Sequence, residues 1–221
     1  MRLLIAIVVF IVFLALSATV VKNDPADDAA AKDQVKVFFS ADKFDAEGYV
    51  GKIWESRVLP HIKEKAVPLP DLLAAAKSRD ASYGEKHGYR AVAEQNPYNY
   101  AVKGRVKILS ANVKSRNGRA EADIEPFDGN PDVTLLLGPV FKGTSIRDLL
   151  PFVSFDDFKN QVEFAKLATQ LNQTARATAI EPAGIALDGG VGKVFEIYGA
   201  TTPSGGGLPS VVPVLLVPVK E

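Results

Sequence analysis

Apolar residues recur with two different periods along this chain, and the change of period divides it. Over residues 44–87 they recur every three or four positions, which predicts three short helices. These helices are expected at residues 44–59, ended by Pro60, and at residues 70–77 and 82–87. From residue 98 onwards apolar and polar residues alternate, as in a half-buried strand. We therefore expect a small helical subdomain over residues 35–95 and a β-rich domain over residues 96–221.

The β-rich part has the element order of a small barrel. Turn signals separate its strands, among them Arg116-Asn117-Gly118, which is typical of a hairpin. Three strands, a helix and two strands favour an α+β fold with an OB-like, five-stranded antiparallel barrel, and an open antiparallel α+β sheet is the alternative. Pro213 and Pro218 cannot donate to a ladder, so the last strand should lie at an edge. The expected strands are residues 98–113, 119–124, 133–137, 192–199 and 210–219.

The most strongly patterned stretch, residues 136–172, carries the helix expected between strands three and four. Its start is predicted at Ser154, an N-cap residue that forms a capping box with Asp157. Val153 and Phe158 occupy the positions of a hydrophobic staple. The predicted apolar face of this helix consists of Phe158, Val162, Phe164, Ala165, Ala168 and Leu171.

Two amide side chains, Gln161 and Asn172, fall within that apolar face. Burying either one unpaired would cost ~1–3 kcal/mol, so each needs a hydrogen-bond partner. One interpretation is that both bond to backbone carbonyls of the preceding loop and fix it to the helix. The alternative is that they line a ligand site at the mouth of the barrel. The candidate binding or structural cluster is Thr144, Arg147, Asp148, Asn160, Gln161 and Asn172.

The N-terminus predicts export. Residues 3–21 carry no charge and would span about 28 Å as a helix, close to the ~30 Å of a bilayer core. Arg2 favours a cytoplasmic N-terminus, so the chain after Lys22 should lie outside. A cleaved signal peptide is the alternative, because Ala15-Leu16-Ser17 offers small residues at the cleavage positions. We assign residues 1–22 to this anchor or signal and residues 23–34 to a linker.

Composition narrows the classes of function. Lys plus Arg and Asp plus Glu are both 26, which gives no electrostatic basis for a nucleic-acid partner. The chain has no cysteine, which removes disulfides, thiolate catalysis and lipid attachment to an N-terminal Cys. His61 and His87 have no partner at metal-ligand spacing, and there is no serine nucleophile elbow. We therefore expect no metal, no cofactor and no enzymatic activity, with carboxylate catalysis as the alternative.

Several runs of the sequence are distinctive, namely YVGKIWESRVLPHIKEKAV, YNYAVKGRVKI, LLGPVFKGTSIRDLLPFVSFDDFKNQVEFAKLATQLN, GKVFEIYGA and the Val-Pro-Val ending. In these runs the chain resembles the bacterial family of predicted periplasmic lipoproteins, domain-of-unknown-function family 2291. The resemblance implies a helical subdomain beside an OB-like barrel, export to the periplasm, and genes near those of ribose-type sugar ABC uptake systems. It implies no established activity or functional residue. The chain departs from the lipoprotein label because it lacks a lipobox Cys.

Together these observations predict a single-pass protein of the inner membrane with its C-terminal domain in the periplasm, or a protein released there if the N-terminal segment is cleaved. We expect a non-enzymatic accessory or binding protein that works with a sugar ABC-type uptake system. Its ligand would be a protein partner, a small solute or a carbohydrate. The alternative is a carboxylate-dependent enzyme or a binding module that acts on envelope carbohydrate.

Overall fold

The computed structural model describes residues 44–90, 96–141, 143–185, 189–203 and 207–219. The predicted anchor or signal and the linker, residues 1–34, lie outside these ranges. Within them, no helix combines the length and apolar character needed to cross a membrane.

The first two α-helices are joined by a π-helical turn. Helix α1 is Ala46–Ile53, the π turn is Trp54–Val58, and helix α2 is Leu59–Lys65. The prediction that Pro60 ends the helix is wrong, because Pro60 lies in the first turn of α2. A proline is tolerated there since its missing N–H is one that a first turn does not need. The wider turn before it is closed by the Leu59 N–H, which donates to the Trp54 carbonyl.

The next two helices occur where the sequence predicts them. Strand β1, Val67–Pro68, leads directly into α3, Leu69–Ser78, which has a proline in its first turn. Helix α3 ends at Arg79, whose backbone is left-handed with φ 55°. Helix α4, Ala81–His87, follows its N-cap residue, Asp80, whose carboxylate accepts from the Ser82 N–H at 2.9 Å.

Five strands close a barrel: β2 (Tyr100–Asn112), β3 (Arg119–Ile124), β4 (Val133–Leu136), β5 (Val194–Thr201) and β6 (Ser210–Pro218). The order is β2-β3-β4-β6-β5, and β5 pairs again with β2. This closure confirms the OB-like barrel over the open sheet. The prediction of a wholly antiparallel barrel needs one correction, because β4 and β6 run parallel. Strand β1 adds a short parallel pair to β2.

The long strand β2 serves both halves of the barrel. Residues 100–107 pair with β5, residues 106–112 pair with β3, and the register of the second pair shifts between Ile108 and Ser110.

The last strand is not at an edge, contrary to the prediction from its prolines. Strand β6 lies between β4 and β5. Pro213 pairs with Gly199, next to a register shift at which β6 has one residue more than β5. A proline is tolerated beside such a bulge because the ladder of hydrogen bonds is interrupted there. Pro218 is the final residue of the strand and pairs with Phe195.

The helical connection between β4 and β5 contains α5, Ser145–Asp148, a 3₁₀ turn, Phe155–Asp157, and α6, Gln161–Ala175. A π-helical turn, Arg176–Ile180, extends α6. The helix expected between strands three and four is therefore present.

The predicted start of that long helix is wrong by several residues. The capping box of Ser154 and Asp157 is formed, but it caps only the 3₁₀ turn, after which Phe158 is extended. Asn160 is the N-cap of α6, and its Oδ1 accepts from the Val162 and Glu163 N–H groups, each at 3.0 Å. The sequence thus carries two overlapping start signals, and α6 uses the second.

The buried face of α6 also differs from the predicted one. Val162 is 63% exposed, whereas Leu167, Ala168, Leu171, Asn172 and Ala175 are buried. Ala168 and Leu171 are therefore buried as predicted, and Phe164 packs partly buried against the core. The fully buried residues of α6 all lie in its later turns.

Two hydrophobic cores lie on the two sides of the barrel wall. One fills the interior and includes Phe195, Ile108 and Leu135. The other joins α1, α2 and α6 to the outside of the barrel, with Trp54, Ile62, Leu171, Ala101 and Val212 among its members. The N-terminal helices therefore bury their apolar faces against the barrel.

The two capping sites give a first prediction. Asn160→Ala should lower the free energy of unfolding by about 1 kcal/mol, since two N–H groups of α6 lose their acceptor. Ser154→Ala should have the smaller effect, because it affects only a three-residue turn. Urea unfolding, monitored by circular dichroism, measures which of the two variants loses more stability. A larger loss of stability for Ser154→Ala than for Asn160→Ala would show that Ser154, and not Asn160, is the cap that stabilises the helix.

Candidate functional site

A cavity of about 770 Å³ brings together three residues of the predicted cluster, Thr144, Arg147 and Asp148. Its volume lies within the ~300–1,000 Å³ typical of small-molecule sites. Most side chains around it are polar, and we call it the polar cavity. Its polar lining consists of Arg90, Asn96, Asn99, Thr144, Arg147, Asp148, Ser154, Asp156 and Thr202, and aromatic rings come from Tyr89, Phe155 and Phe164.

One wall of the polar cavity is an ordered ion pair on α5. The Arg147 Nε donates to Asp148 Oδ1 at 2.8 Å, and a second guanidinium nitrogen lies 2.7 Å from the same oxygen. The Arg147 guanidinium also stacks on the Phe164 ring, 3.8 Å from its centroid, and donates to the Phe164 carbonyl at 3.3 Å. The Thr144 hydroxyl donates to the other oxygen of Asp148. The charges on this wall are therefore paired and fixed in place.

A second wall is built around Asn99, which is buried. Its Nδ2 donates to the Tyr89 carbonyl at 3.4 Å, and its Oδ1 accepts from the Thr202 hydroxyl. Backbone hydrogen bonds of 2.8 Å in both directions join Tyr89 to Asn99. Sequence reasoning missed this wall because Asn99 and Thr202 are 103 residues apart, and no local pattern indicates such a contact.

Two groups on the lining stay available for a ligand. Within the described part of the chain, the Asp156 carboxylate and the Tyr89 hydroxyl make no hydrogen bond or ion pair. Because the surrounding side chains are already paired, these two groups can contact a bound molecule without breaking an internal bond.

The other three predicted residues lie outside the lining of the polar cavity. Asn160 is the N-cap of α6. Gln161 is exposed, so the prediction that it is buried is wrong, because it occupies the first residue of the helix. Asn172 is buried, and its Nδ2 donates to the Gly143 carbonyl at 3.1 Å, which is the predicted bond between helix and loop.

The contrast between the two amides gives a second prediction. Asn172→Leu should lower the free energy of unfolding by about 1–3 kcal/mol, because the Gly143 carbonyl loses its partner. Gln161→Leu, the matched control, should stay within about 0.5 kcal/mol, as is usual for exposed positions. Thermal and urea unfolding of both variants provide the measurement. Equal losses for the two would contradict the structural role given to Asn172.

The histidines take no part in the polar cavity. The His61 ring lies edge-on to Phe152, and its Nε2 lies 3.2 Å from the Leu149 carbonyl oxygen. Burial lowers the pKa of His61, which favours the neutral ring. Across the described ranges, no three His, Asp or Glu side chains are grouped to hold a metal ion.

Comparisons with known proteins agree with the fold. The family model described as "Predicted periplasmic lipoprotein (DUF2291)" matches residues 7–217. The chain is similar to the crystal structure of an OB-fold protein from Thermotoga maritima, with a TM-score of 0.62 and 16% identity. That match covers 80% of this chain and 100% of the other, and at this identity it shows the fold alone. No curated protein matches.

Proposed function

This chain belongs to the family of predicted periplasmic lipoproteins, DUF2291, and we propose that it is an exported, non-enzymatic protein that binds a small polar solute for a sugar uptake system. The observation that carries this proposal is the polar cavity, with its paired Arg147 and Asp148 and its two available groups, Asp156 and Tyr89.

The chemistry of the polar cavity suits a carbohydrate. Sugar hydroxyls both donate and accept hydrogen bonds, and the lining offers the Asp156 carboxylate as an acceptor and the Tyr89 hydroxyl as a donor or acceptor. Phe155, which is 47% exposed, adds an apolar ring for the C–H groups of a sugar. The wall formed by Arg147 and Asp148 is ordered by internal bonds, so a ligand would not have to immobilise it.

The same geometry favours binding over catalysis. One oxygen of Asp148 accepts from Arg147 and the other accepts from Thr144. A carboxylate in this state positions a ligand, whereas a general acid or base needs an oxygen within reach of the proton that it transfers. The alternative is a carboxylate-dependent enzyme that acts on envelope carbohydrate. Such an enzyme would have to use Asp156 alone, because both oxygens of Asp148 are already hydrogen-bonded.

The location is part of the proposal. With no cysteine for a lipid, the apolar residues 3–21 would tether the protein to the inner membrane and leave the barrel in the periplasm. There it would pass its solute to, or report it to, a sugar ABC-type transporter.

A binding assay on the purified full-length protein tests the proposal. We expect ribose, glucose or galactose to bind by isothermal titration calorimetry. Asp156→Asn and Tyr89→Phe should each weaken that binding about tenfold, which is the loss of one hydrogen bond, and leave the melting temperature unchanged. Glu55→Gln, an exposed carboxylate on the π turn, is the matched control and should bind as the parent does. Absence of binding, or equal binding by all three variants, would contradict the proposal.

A further inference from the structure

A second cavity, of about 620 Å³, lies between α3, α4 and one end of the barrel. Pro97 lines both this cavity and the polar cavity. The character of the second cavity is different, since its walls are formed largely by apolar side chains such as Leu72, Leu73 and Leu208. We call it the tyrosine cavity because Tyr83, Tyr98 and Tyr100 also line it.

The three tyrosine rings pack as one cluster. The Tyr100 centroid lies 6.2 Å from that of Tyr83 and 6.4 Å from that of Tyr98, and both pairs are tilted. Helix α4 approaches them closely at Gly84, where a Cβ atom would come within 2.5 Å of the Tyr98 ring. Residue 84 must therefore be glycine for the helix and the rings to pack in this way.

The cavity offers hydroxyl groups in apolar surroundings. Among the described residues, the Tyr83 and Tyr100 hydroxyls have no hydrogen-bond partner. Burial raises the pKa of both phenols, which indicates a setting that disfavours charge. Leu208, on the same lining, is 39% exposed, so a bound molecule would remove apolar surface from water.

We propose that the tyrosine cavity binds an uncharged aromatic or heteroaromatic ring compound that carries a hydrogen-bond acceptor. The rings supply faces and edges for aromatic packing, and the hydroxyls of Tyr83 and Tyr100 supply donors. The apolar walls fit the edge of an aryl ring better than a sugar, whose edge carries hydroxyls. The charged lining residues, Lys77, Arg79, Asp80 and Asp132, balance in sign and give no preference for an ion.

Matched probes test the chemical class. Benzamide is uncharged and aromatic, benzoate has nearly the same shape with a charge, and cyclohexanecarboxamide has the same amide without the aromatic ring. With purified full-length protein, ligand-observed NMR titrations should show benzamide binding at least about tenfold more tightly than either analogue. No binding of benzamide at millimolar concentration, or equal binding of benzoate, would overturn the proposal.

Matched variants test the location. Ala76 and Ala74 are both exposed on α3, but only Ala76 lines the tyrosine cavity. Ala76→Trp should abolish benzamide binding and Ala74→Trp should leave it unchanged. Tyr100→Phe should weaken it about tenfold, through loss of one hydrogen bond. Benzamide binding that survives Ala76→Trp, or glucose binding that Ala76→Trp removes, would overturn the inference.

This inference is independent of the sugar site. Tyr89→Phe, which should weaken sugar binding in the polar cavity, should leave the affinity for benzamide as it is. A loss of benzamide binding in Tyr89→Phe would show that the aryl compound occupies the polar cavity and would also overturn the inference.

Discussion

Phe195→Ala should lower the free energy of unfolding by about 3–5 kcal/mol. The Phe195 side chain is fully buried on β5, within the core that fills the barrel. Its ring reaches the glycine turn before β5, where a Cβ atom on Gly190 would lie 3.1 Å from Phe195 Cε2. Removing the ring would leave a cavity in a closed barrel, whose hydrogen-bonded strands resist collapse into the space.

Urea unfolding at equilibrium provides the measurement for Phe195→Ala, and Phe127→Ala is its control. Phe127 is 38% exposed, so its truncation should cost below about 1 kcal/mol. If the two variants lost the same stability, the barrel interior would not be the main core of the fold.

Gly138→Ala should cost about 3 kcal/mol or more, at or beyond the upper end of the usual range for overpacking. Gly138 follows β4 and lies against the hairpin between β2 and β3, where its N–H donates to the Gly118 carbonyl at 2.9 Å. A Cβ atom there would overlap the Gly118 nitrogen and lie 2.5 Å from the Arg116 carbonyl oxygen. Both are backbone atoms, so no side-chain rotation relieves the clash.

Gly51→Ala is the matched control for Gly138→Ala. Gly51 lies within α1, and nothing is within 4 Å of the Cβ position. This change should raise stability by about 0.5–1 kcal/mol, because alanine is the better helix former. Melting temperatures that move in opposite directions support the close approach at Gly138. A neutral Gly138→Ala would contradict it.

The strands and turns of the barrel could be predicted because their signals are local. Residues 119–124 alternate in the period of a strand, follow a hairpin turn, and form β3 over the predicted range. Local signals of this kind gave a wrong prediction in two places. Pro213 has the sequence signature of an edge strand, but barrel closure and a bulge accommodate it. Ser154 and Asp157 have the signature of a long helix, but a second cap at Asn160 follows too closely to be ranked from sequence.

Only the wall of the candidate site whose residues lie close together in the sequence could be predicted. Thr144, Arg147 and Asp148 lie within one stretch, and the structure gathers them at the polar cavity. Asn99 directly precedes β2 and Thr202 directly follows β5, so only the pairing of these two strands in the closed barrel brings them together. Gln161 was misplaced because its burial depended on where α6 begins.

Binding of a small polar solute in the polar cavity can be followed by hydrogen–deuterium exchange of the full-length protein, with and without the sugar that binds it most tightly. We expect slower exchange on sugar binding in residues 96–99 and 144–156, which form the two walls. Unchanged exchange in both segments, or slower exchange confined to residues 72–83 at the tyrosine cavity, would contradict it.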